Sequence, residues 1–254
     1  MNSTTTRSFA LTDALRQLGV TDDTLSTAEK AQLDQQGYVN LGQAITAAQA
    51  LQMSASIDRI TLEEAENAGK DFHTEKGAAR LGTLINKDSC FDICFLHPKA
   101  LAGIAHVIGG DFGLSSITSR SALPGEGSQP LHNDCPLSFS SANALWMVDA
   151  FTEENGPTRL VPGSNLSGKA PEDVVDPVAD HPDQIRLLGP AGSLVVINAH
   201  TWHGGTRNPS TMPRRLISAF FSAKDNYQSI AHRELNELSA ERLSPAARTV
   251  IDFV

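Results

Sequence analysis

The second half of the chain consists of short apolar runs separated by turn residues, and this pattern restricts the fold more than any other feature. The runs cover residues 114–118, 144–151, 158–161, 194–198 and 216–222. Runs of this length, bounded by Gly, Pro, Asn and Ser, are typical of β-strands. Because several short strands need neighbours on both sides, the pattern predicts an antiparallel sheet that is closed or nearly closed.

Residues before about 110 carry helix signals instead. Ser26-Thr27-Ala28-Glu29 and Thr46-Ala47-Ala48-Gln49 each place a hydroxyl three residues before a Glu or Gln, which is the spacing of a capping box. A third predicted helix spans residues 98–108, with Pro98 in its first turn and Gly109-Gly110 after its end. The sequence therefore predicts helices that begin near Ser26, Thr46 and Pro98.

Two further patterns complete the prediction for the first half. Residues 37–41 form a short strand candidate, and Leu51, Ile57 and Ile60 are predicted to share one face of the helix after Thr46. Helices first and strands afterwards predict an α+β fold. The leading architecture is a double-stranded β-helix, that is, a jelly-roll or cupin-like barrel with a helical N-terminal layer.

We expect a single domain over residues 1–254. The helical N-terminal layer is predicted at about 1–110, the barrel core at about 111–225 and a C-terminal tail at 226–254. Residues 163–190, rich in Pro, Gly and Asp, are predicted to form a long surface excursion that interrupts this domain.

Composition and net charge restrict the classes of partner that the protein is expected to bind. A formal net charge of −9 argues against a broad nucleic-acid-binding surface, which needs clustered Lys and Arg. The N-terminus lacks an apolar signal region, and no stretch reaches the roughly 18 apolar residues of a membrane span. Three cysteines without a CxxC pair predict reduced thiols. We expect a cytoplasmic protein with no nucleic-acid or membrane partner, and a homodimer as the default assembly.

The candidate chemistry centres on His132, Asp134 and His203. If residues 131–134 form a strand, its period of two puts His132 and Asp134 on one face. His203 follows the predicted strand 194–198, and a barrel could bring it alongside them. Two histidines and one carboxylate form the facial triad of non-haem Fe(II) oxygenases, which leaves metal positions open. Arg214, eleven residues after His203, could grip a carboxylate with two hydrogen bonds.

At these residues the sequence resembles the phytanoyl-CoA dioxygenase family of iron and 2-oxoglutarate enzymes. The resemblance covers roughly residues 38–221. It rests on three motifs in the family's order, Gln129-Pro130-Leu131-His132-Asn133-Asp134, Asn155-Gly156-Pro157-Thr158-Arg159-Leu160-Val161-Pro162-Gly163-Ser164 and Trp202-His203-Gly204-Gly205-Thr206-Arg207-Asn208.

The resemblance implies roles for six residues. His132, Asp134 and His203 correspond to the iron ligands, and Arg214 to the residue that anchors the distal carboxylate of 2-oxoglutarate. Gln129 and Thr158 occupy positions that resemble co-substrate contacts in some members. The implied cofactors and co-substrates are Fe(II), 2-oxoglutarate and O2.

The implied function is oxidation, most directly hydroxylation, of a small molecule or natural-product intermediate, with release of succinate and CO2. Relatives that halogenate carry a small residue at the carboxylate position, whereas Asp134 is present here, which favours hydroxylation. One departure is Asn165, where the family usually has His after Pro-Gly-Ser. Two other functions stay open, namely a 2-oxoglutarate-independent metalloenzyme on a cupin-type barrel (an Fe dioxygenase or Zn hydrolase) and a non-catalytic small-molecule-binding barrel.

Several residues have competing interpretations. His200 could replace His203, although Gly204-Gly205 after His203 favours close approach of the backbone to a metal. Arg215 is expected to be a solvated charge, because strand alternation allows only one of Arg214 and Arg215 to line the barrel. Gln129 and Thr158 could be ordinary strand residues, Trp146 and Trp202 are expected in the core, and Arg80, Asn86, Lys87, Phe139, Phe221 and Tyr227 could contact substrate.

Overall fold

The computed structural model of the protein describes residues 10–226 and 235–251. Within these ranges the strands β1 to β9 are Tyr38–Gln43, Ala78–Leu81, Phe112–Ala122, Ser141–Met147, Thr158–Leu160, Ile185–Arg186, Ser193–Asn198, His203–Gly205 and Arg214–Ala223. The helices α1 to α7 are Leu11–Gln17, Thr27–Gln36, Ala47–Glu64, Asp92–Leu96, Pro98–Ile108, Glu237–Arg242 and Pro245–Ile251.

The strands form two antiparallel sheets that enclose the barrel interior. The larger sheet has the order β1-β7-β4-β9-β3-β2, and the smaller one has the order β6-β5-β8. All strand pairs within them are antiparallel, so the predicted α+β fold with a jelly-roll barrel is confirmed. The predicted helical layer also contributes β1 and β2, which are the two edge strands of the larger sheet.

Helices begin where the sequence predicts them. Ser26 and Thr46 both form complete capping boxes, and His97 caps α5, in which Pro98 is the first residue. Gly109 ends α5 in the left-handed conformation that glycine adopts without steric cost. The predicted apolar face of α3 is partly wrong, because Leu51 is 71% exposed while Ile57 and Ile60 are buried.

The larger sheet is buried on both faces, which explains its nearly continuous apolar strands. In β4, Ala144 and Trp146 face the helices, whereas Leu145 and Met147 belong to a separate apolar cluster between the two sheets. Helix α5 lies against the outer face so closely that a methyl group on Gly103 would come within 2.9 Å of Val196. The helical layer thus holds the barrel from outside and leaves its interior for the site.

The excursion at 163–190 is less separate than expected. It contains the short strand β6, which pairs with β5, and the Pro177 carbonyl accepts a hydrogen bond from the Leu131 amide. Buried Arg159 of β5 also donates to the Pro177 and Ala179 carbonyls. The excursion therefore supports the segment that carries His132.

Two findings concern the helices and the tail. In the part of the chain that the structure describes, no single helix is long and apolar enough to cross a membrane; one bent pair, Ser89–Leu96 with Pro98–Ile108, meets the length and composition test together. Residues 227–234 and 252–254 of the predicted tail, Tyr227 among them, lie outside the described residues. Helix α7 packs against α1 and β3.

Candidate metal and co-substrate site

The structure brings His132, Asp134 and His203 together at one end of the smaller sheet. Their potential ligand atoms all lie within 4.8 Å of one another. Asp134 Oδ1 is 3.8 Å from His132 Nε2 and 3.5 Å from His203 Nε2. Metal bonds of about 2.1 Å at right angles would separate neighbouring ligand atoms by roughly 3 Å, so a small contraction would close this set around one ion.

The local backbone differs from the prediction. Residues 131–134 do not form a strand; His132 makes a single bridge with His203, through two backbone hydrogen bonds of 2.9 and 3.0 Å. The Asp134 amide bonds instead to the Ala199 carbonyl, and Asn133 turns the chain by donating to the Cys135 carbonyl. Pairing to two different segments, rather than strand alternation, makes the side chains converge.

Both imidazoles present the same nitrogen to the metal position. His132 Nδ1 lies 2.9 Å from the Pro130 carbonyl, and His203 Nδ1 lies 2.9 Å from the Thr201 carbonyl. A carbonyl only accepts, so each Nδ1 carries the proton and each Nε2 keeps its lone pair. Burial lowers the pKa of His132 and favours its neutral form. This donor set fits a divalent iron ion.

A cavity of about 90 Å³ lies beside the three residues and extends into the barrel. A wider cavity of about 400 Å³ shares the same floor and opens toward Phe72, His73 and Phe220. The narrow cavity suits a small co-substrate and the wide one a larger molecule. The residues that line the narrow cavity are Arg80, Arg120, Gln129, His132, Asp134, Asn143, Leu145, Thr158, His203, Leu216 and Ser218.

Arg214 starts β9 on the same face as Leu216 and Ser218, because side chains alternate along a strand. Its Nε and Nη2 donate to the Gly156 carbonyl, and the guanidinium stacks 4.3 Å from the centre of the Phe151 ring. Nη1 is buried and has no hydrogen-bond partner in the described structure. Burial, followed by the charge of Arg120, lowers the pKa of Arg214 to about 9.

This unpaired nitrogen is the observation that tests the fit of 2-oxoglutarate. A buried donor without a partner is costly, and a carboxylate is the group that pairs best with guanidinium. No acid forms a direct ion pair with Arg214 among the described side chains, although the charges of Asp149 and Glu75 act on it at longer range. A dicarboxylate that reached from the metal position to Arg214 would satisfy both requirements.

Gln129 and Thr158 both line the narrow cavity. The side-chain carbonyl of Gln129 accepts a hydrogen bond from the Gly205 amide, so the amide side chain also has the structural role that was left open. Thr158 is buried at the start of β5. Their position beside the triad is compatible with contact to a co-substrate, and that contact stays a prediction.

An arginine pair in the cavity wall was not assigned from the sequence. Arg80 and Arg120 are directly opposite each other on β2 and β3, and Glu75 lies between them. Glu75 accepts from Arg120 at 2.6 Å and is 3.5 Å from Arg80. Burial lowers the pKa of Arg80 to about 10. Only strand register reveals this pair, because 40 residues separate its members.

Several other residues that were expected to contact substrate or to pack in the core lie away from the cavity. Lys87 pairs with Glu64 and Asp71, and Asn86 bonds to Asn236, so neither reaches the cavity. Phe221 packs in the core against Phe112, whereas its neighbour Phe220 lines the wide cavity. Trp146 and Trp202 are buried, as predicted.

Two of the competing interpretations receive structural answers. His200 lies outside the cluster of His132, Asp134 and His203, and its Nε2 is buried without a partner in the described residues. The expectation that Arg215 is a solvated charge is wrong, because its side chain is 9% exposed and pairs with Asp58 and Asp149. Strand alternation directs Arg215 to the other face of the sheet, where it pairs with Asp58 of α3 and with Asp149, which follows β4.

Comparisons with known proteins agree with this geometry. Residues 33–216 match the family model described as phytanoyl-CoA dioxygenase. Dioxygenase af480 of Aspergillus fumigatus is 30% identical over 165 residues, which cover 58% of this chain and 51% of that protein. The iron/alpha-ketoglutarate-dependent dioxygenase ausO of Aspergillus calidoustus is 26% identical, with 62% and 56% covered. The chain spans about half the length of the curated relatives it matches.

Solved structures support the fold. HygX from Streptomyces hygroscopicus, solved with nickel and 2-oxoglutarate bound, superposes with a TM-score of 0.64 at 14% identity and covers 79% of this chain and 88% of its own. The non-heme alpha-ketoglutarate-dependent carbocyclase SnoK from nogalamycin biosynthesis also gives 0.64, at 18% identity, with 81% and 87% covered. With nearly three quarters of its length inside the family model, the chain belongs to the phytanoyl-CoA dioxygenase family.

Proposed function

We propose that the protein is a non-haem Fe(II)- and 2-oxoglutarate-dependent oxygenase. His132, Asp134 and His203 would hold the iron, and Arg214 would bind the far carboxylate of 2-oxoglutarate. The observation that carries the proposal is the pairing of a complete triad with a buried arginine that lacks a partner for one nitrogen. A hydrolase with the same triad has no need for such a cation.

Each of these residues has a defined role in the proposed site. His132 and His203 offer Nε2, while their protonated Nδ1 atoms stay fixed on backbone carbonyls. Arg214 would orient the co-substrate through its far carboxylate, and Gln129 and Thr158 line the narrow cavity beside the triad. When bound, iron and 2-oxoglutarate together supply the O2 activation that oxidises an unactivated C–H bond.

The substrate is proposed to be a small molecule, and a natural-product intermediate is the class we favour. The wide cavity of about 400 Å³, with Phe72, His73 and Phe220 at its wall, is large enough for part of such a molecule. SnoK belongs to nogalamycin biosynthesis, which supports the same class. Because Asp134 occupies the third ligand position, hydroxylation is favoured over halogenation.

We infer a single domain and a homodimer, since two-fold dimers are the commonest soluble oligomers. Light scattering after size-exclusion chromatography would measure the mass against the 27.1 kDa of one chain. A net charge of −9 supports a partner set without nucleic acid.

The decisive test needs no substrate. Metal-stripped protein would be mixed anaerobically with Fe(II) and 2-oxoglutarate, and the weak visible charge-transfer band of the complex would be recorded. We expect the band in the wild type and in His200→Ala, and its loss in Asp134→Ala and His203→Ala. Iron binding without a band would reject 2-oxoglutarate and favour a cofactor-independent metal site.

A further inference from the structure

Asn143 is a polar residue on the inner face of an apolar strand. It lies on β4 with Leu145 and Met147 on the same face, and it is 5% exposed. A buried amide is costly unless its donor and acceptor both find partners. The partners of Asn143 therefore show why an amide is present at this position.

Asn143 joins Asp134 to β9. Its Nδ2 donates to Asp134 Oδ2 at 3.2 Å, and Ser218 Oγ donates to its Oδ1 at 2.8 Å. An ionised carboxylate only accepts, so the amide must turn its NH2 toward Asp134. The Ser218 hydroxyl must then point its proton at Asn143 Oδ1, and this hydrogen bond fixes the plane of the amide. The result is a directed chain from Ser218 through Asn143 to Asp134.

The two oxygens of Asp134 consequently have different surroundings. Oδ1 is the oxygen that lies 3.5 Å from His203 Nε2 and 3.8 Å from His132 Nε2. Oδ2 is the oxygen that Asn143 holds. The hydrogen bond keeps Oδ2 directed toward β4 and leaves Oδ1 directed toward the metal position.

We propose that Asn143, oriented by Ser218, is a positioning residue that makes Asp134 a one-oxygen ligand. This inference rests on the metal site of the proposed function. Six positions surround an octahedral ion, and the triad fills three if Asp134 uses one oxygen. A two-oxygen Asp134 would fill a fourth, and 2-oxoglutarate with two donor atoms would leave no position for O2. The Asn143 hydrogen bond preserves that last position.

The test measures the metal site rather than turnover. The variants are Asn143→Leu, which keeps the volume but removes the donor, and Ser218→Ala, which frees the amide plane. Ser218→Thr keeps the hydroxyl and should behave as wild type. Ser222→Ala is the matched control, because Ser222 forms a similar buried hydroxyl contact with Ser141 between the same two strands, away from the triad.

Two readouts are taken anaerobically. Competition with a coloured chelator gives the Fe(II) affinity, which we expect to fall about 10- to 100-fold in Asn143→Leu, with a smaller loss in Ser218→Ala. Nitric oxide, added to protein loaded with Fe(II) and 2-oxoglutarate, probes the remaining metal position by electron paramagnetic resonance. We expect a reduced nitrosyl signal in both variants and unchanged signals in Ser218→Thr and Ser222→Ala.

The outcomes separate this inference from the proposed function. Wild-type Fe(II) affinity and nitrosyl signal in Ser218→Ala and Asn143→Leu would overturn the role of Asn143. If Asn143→Leu does not fold, as judged by circular dichroism, Ser218→Ala against Ser222→Ala decides alone. If the wild type binds Fe(II) but not 2-oxoglutarate, the proposed function fails, and the affinity comparison still decides whether Asn143 positions Asp134.

Discussion

Arg214 and Arg215 are adjacent in the chain, yet their guanidinium groups lie on opposite faces of β9. Arg214 points into the barrel and stacks on Phe151, whereas Arg215 points to α3 and pairs with Asp58. One residue keeps an unpaired buried nitrogen, and the other is fully paired. This division predicts that substitution of Arg214 affects ligand binding and substitution of Arg215 affects stability.

Arg214→Ala should abolish tight binding of 2-oxoglutarate while metal binding persists. Loss of one partner of a buried charge pair costs at least about 2 kcal/mol, or roughly 30-fold in affinity. Arg214→Lys should recover little, because an ammonium cannot reproduce the two parallel hydrogen bonds of a guanidinium. Anaerobic titration of 2-oxoglutarate, followed by the charge-transfer band, measures the dissociation constants, and Arg215→Ala is the control. Wild-type affinity in Arg214→Ala would contradict the assignment.

Arg215→Ala should destabilise the fold and leave 2-oxoglutarate affinity unchanged. The substitution removes a two-bond contact to Asp58, at 2.9 and 2.7 Å, and a contact to Asp149. Since Asp58 is 53% exposed, we expect a loss of about 2 kcal/mol rather than the larger value of a fully buried pair. Urea unfolding of the metal-free protein measures this difference. An unchanged midpoint would show that the contact contributes nothing to stability.

Gly204→Ala should weaken metal binding through the backbone. A methyl group there would come within 2.7 Å of the Pro130 carbonyl oxygen, next to the bridge between His132 and His203. Because this contact is with backbone and not with a flexible side chain, the segments that carry His132 and His203 must separate. We expect this separation to lower the free energy of unfolding by about 1–3 kcal/mol. We expect at least about tenfold weaker Fe(II) binding. Gly110→Ala, which meets no atom within 4 Å, serves as control and should match wild type.

His97 should make stability fall as the pH is lowered. Its Nδ1 accepts from the Lys99 amide at the start of α5, and burial, followed by the charge of Lys99, lowers the pKa of His97 below its ordinary 6.5. As the pH is lowered, His97 therefore takes up a proton in the unfolded chain at a higher pH than in the folded chain. The contribution of neutral His97 to the free energy of unfolding is present above pH 6.5 and is lost as the pH falls through the folded-state pKa.

The comparison uses His97→Asn, because Asn can cap the helix without titrating. Urea unfolding at pH 7.5 and pH 5 gives the pH-dependent loss for each protein. The wild type should lose more than the variant, by on the order of 1 kcal/mol, the usual size of an N-cap contribution. Equal losses would show that His97 does not titrate in this window.

The sequence predicted those elements whose signals are local. Capping boxes at Ser26 and Thr46, and the Pro98 and Gly109 boundaries, arise from hydrogen bonds and dihedral preferences within a few residues. The prediction of a strand at 131–134 was wrong, because Asn133 and two flanking prolines turn the chain there. Leu51 was misplaced because nothing local shows which part of a helix the sheet covers.

The residues that line the cavity could not be predicted from the sequence, because the pairing register of the strands decides which side chains face it. In β3 a bulge between Leu114 and Ser116 shifts the alternation, so Ser116 and Thr118 face the cavity while Leu114 and Ile117 face the core. A one-residue change of this kind moves every later side chain to the other face. Arg120, which lines the narrow cavity, depends on the same shift.

By itself the sequence determined the chemical types present, namely two histidines and a carboxylate at oxygenase spacing, an arginine eleven residues beyond, and strands enough for a barrel. Only the tertiary structure decided which atoms face one another. It joined His132 to His203 across 70 residues, left one nitrogen of Arg214 unpaired and placed Asn143 on the far oxygen of Asp134. The residue types and their spacing can be read directly from the sequence. Contacts between distant residues depend on strand pairing, which no local interaction encodes.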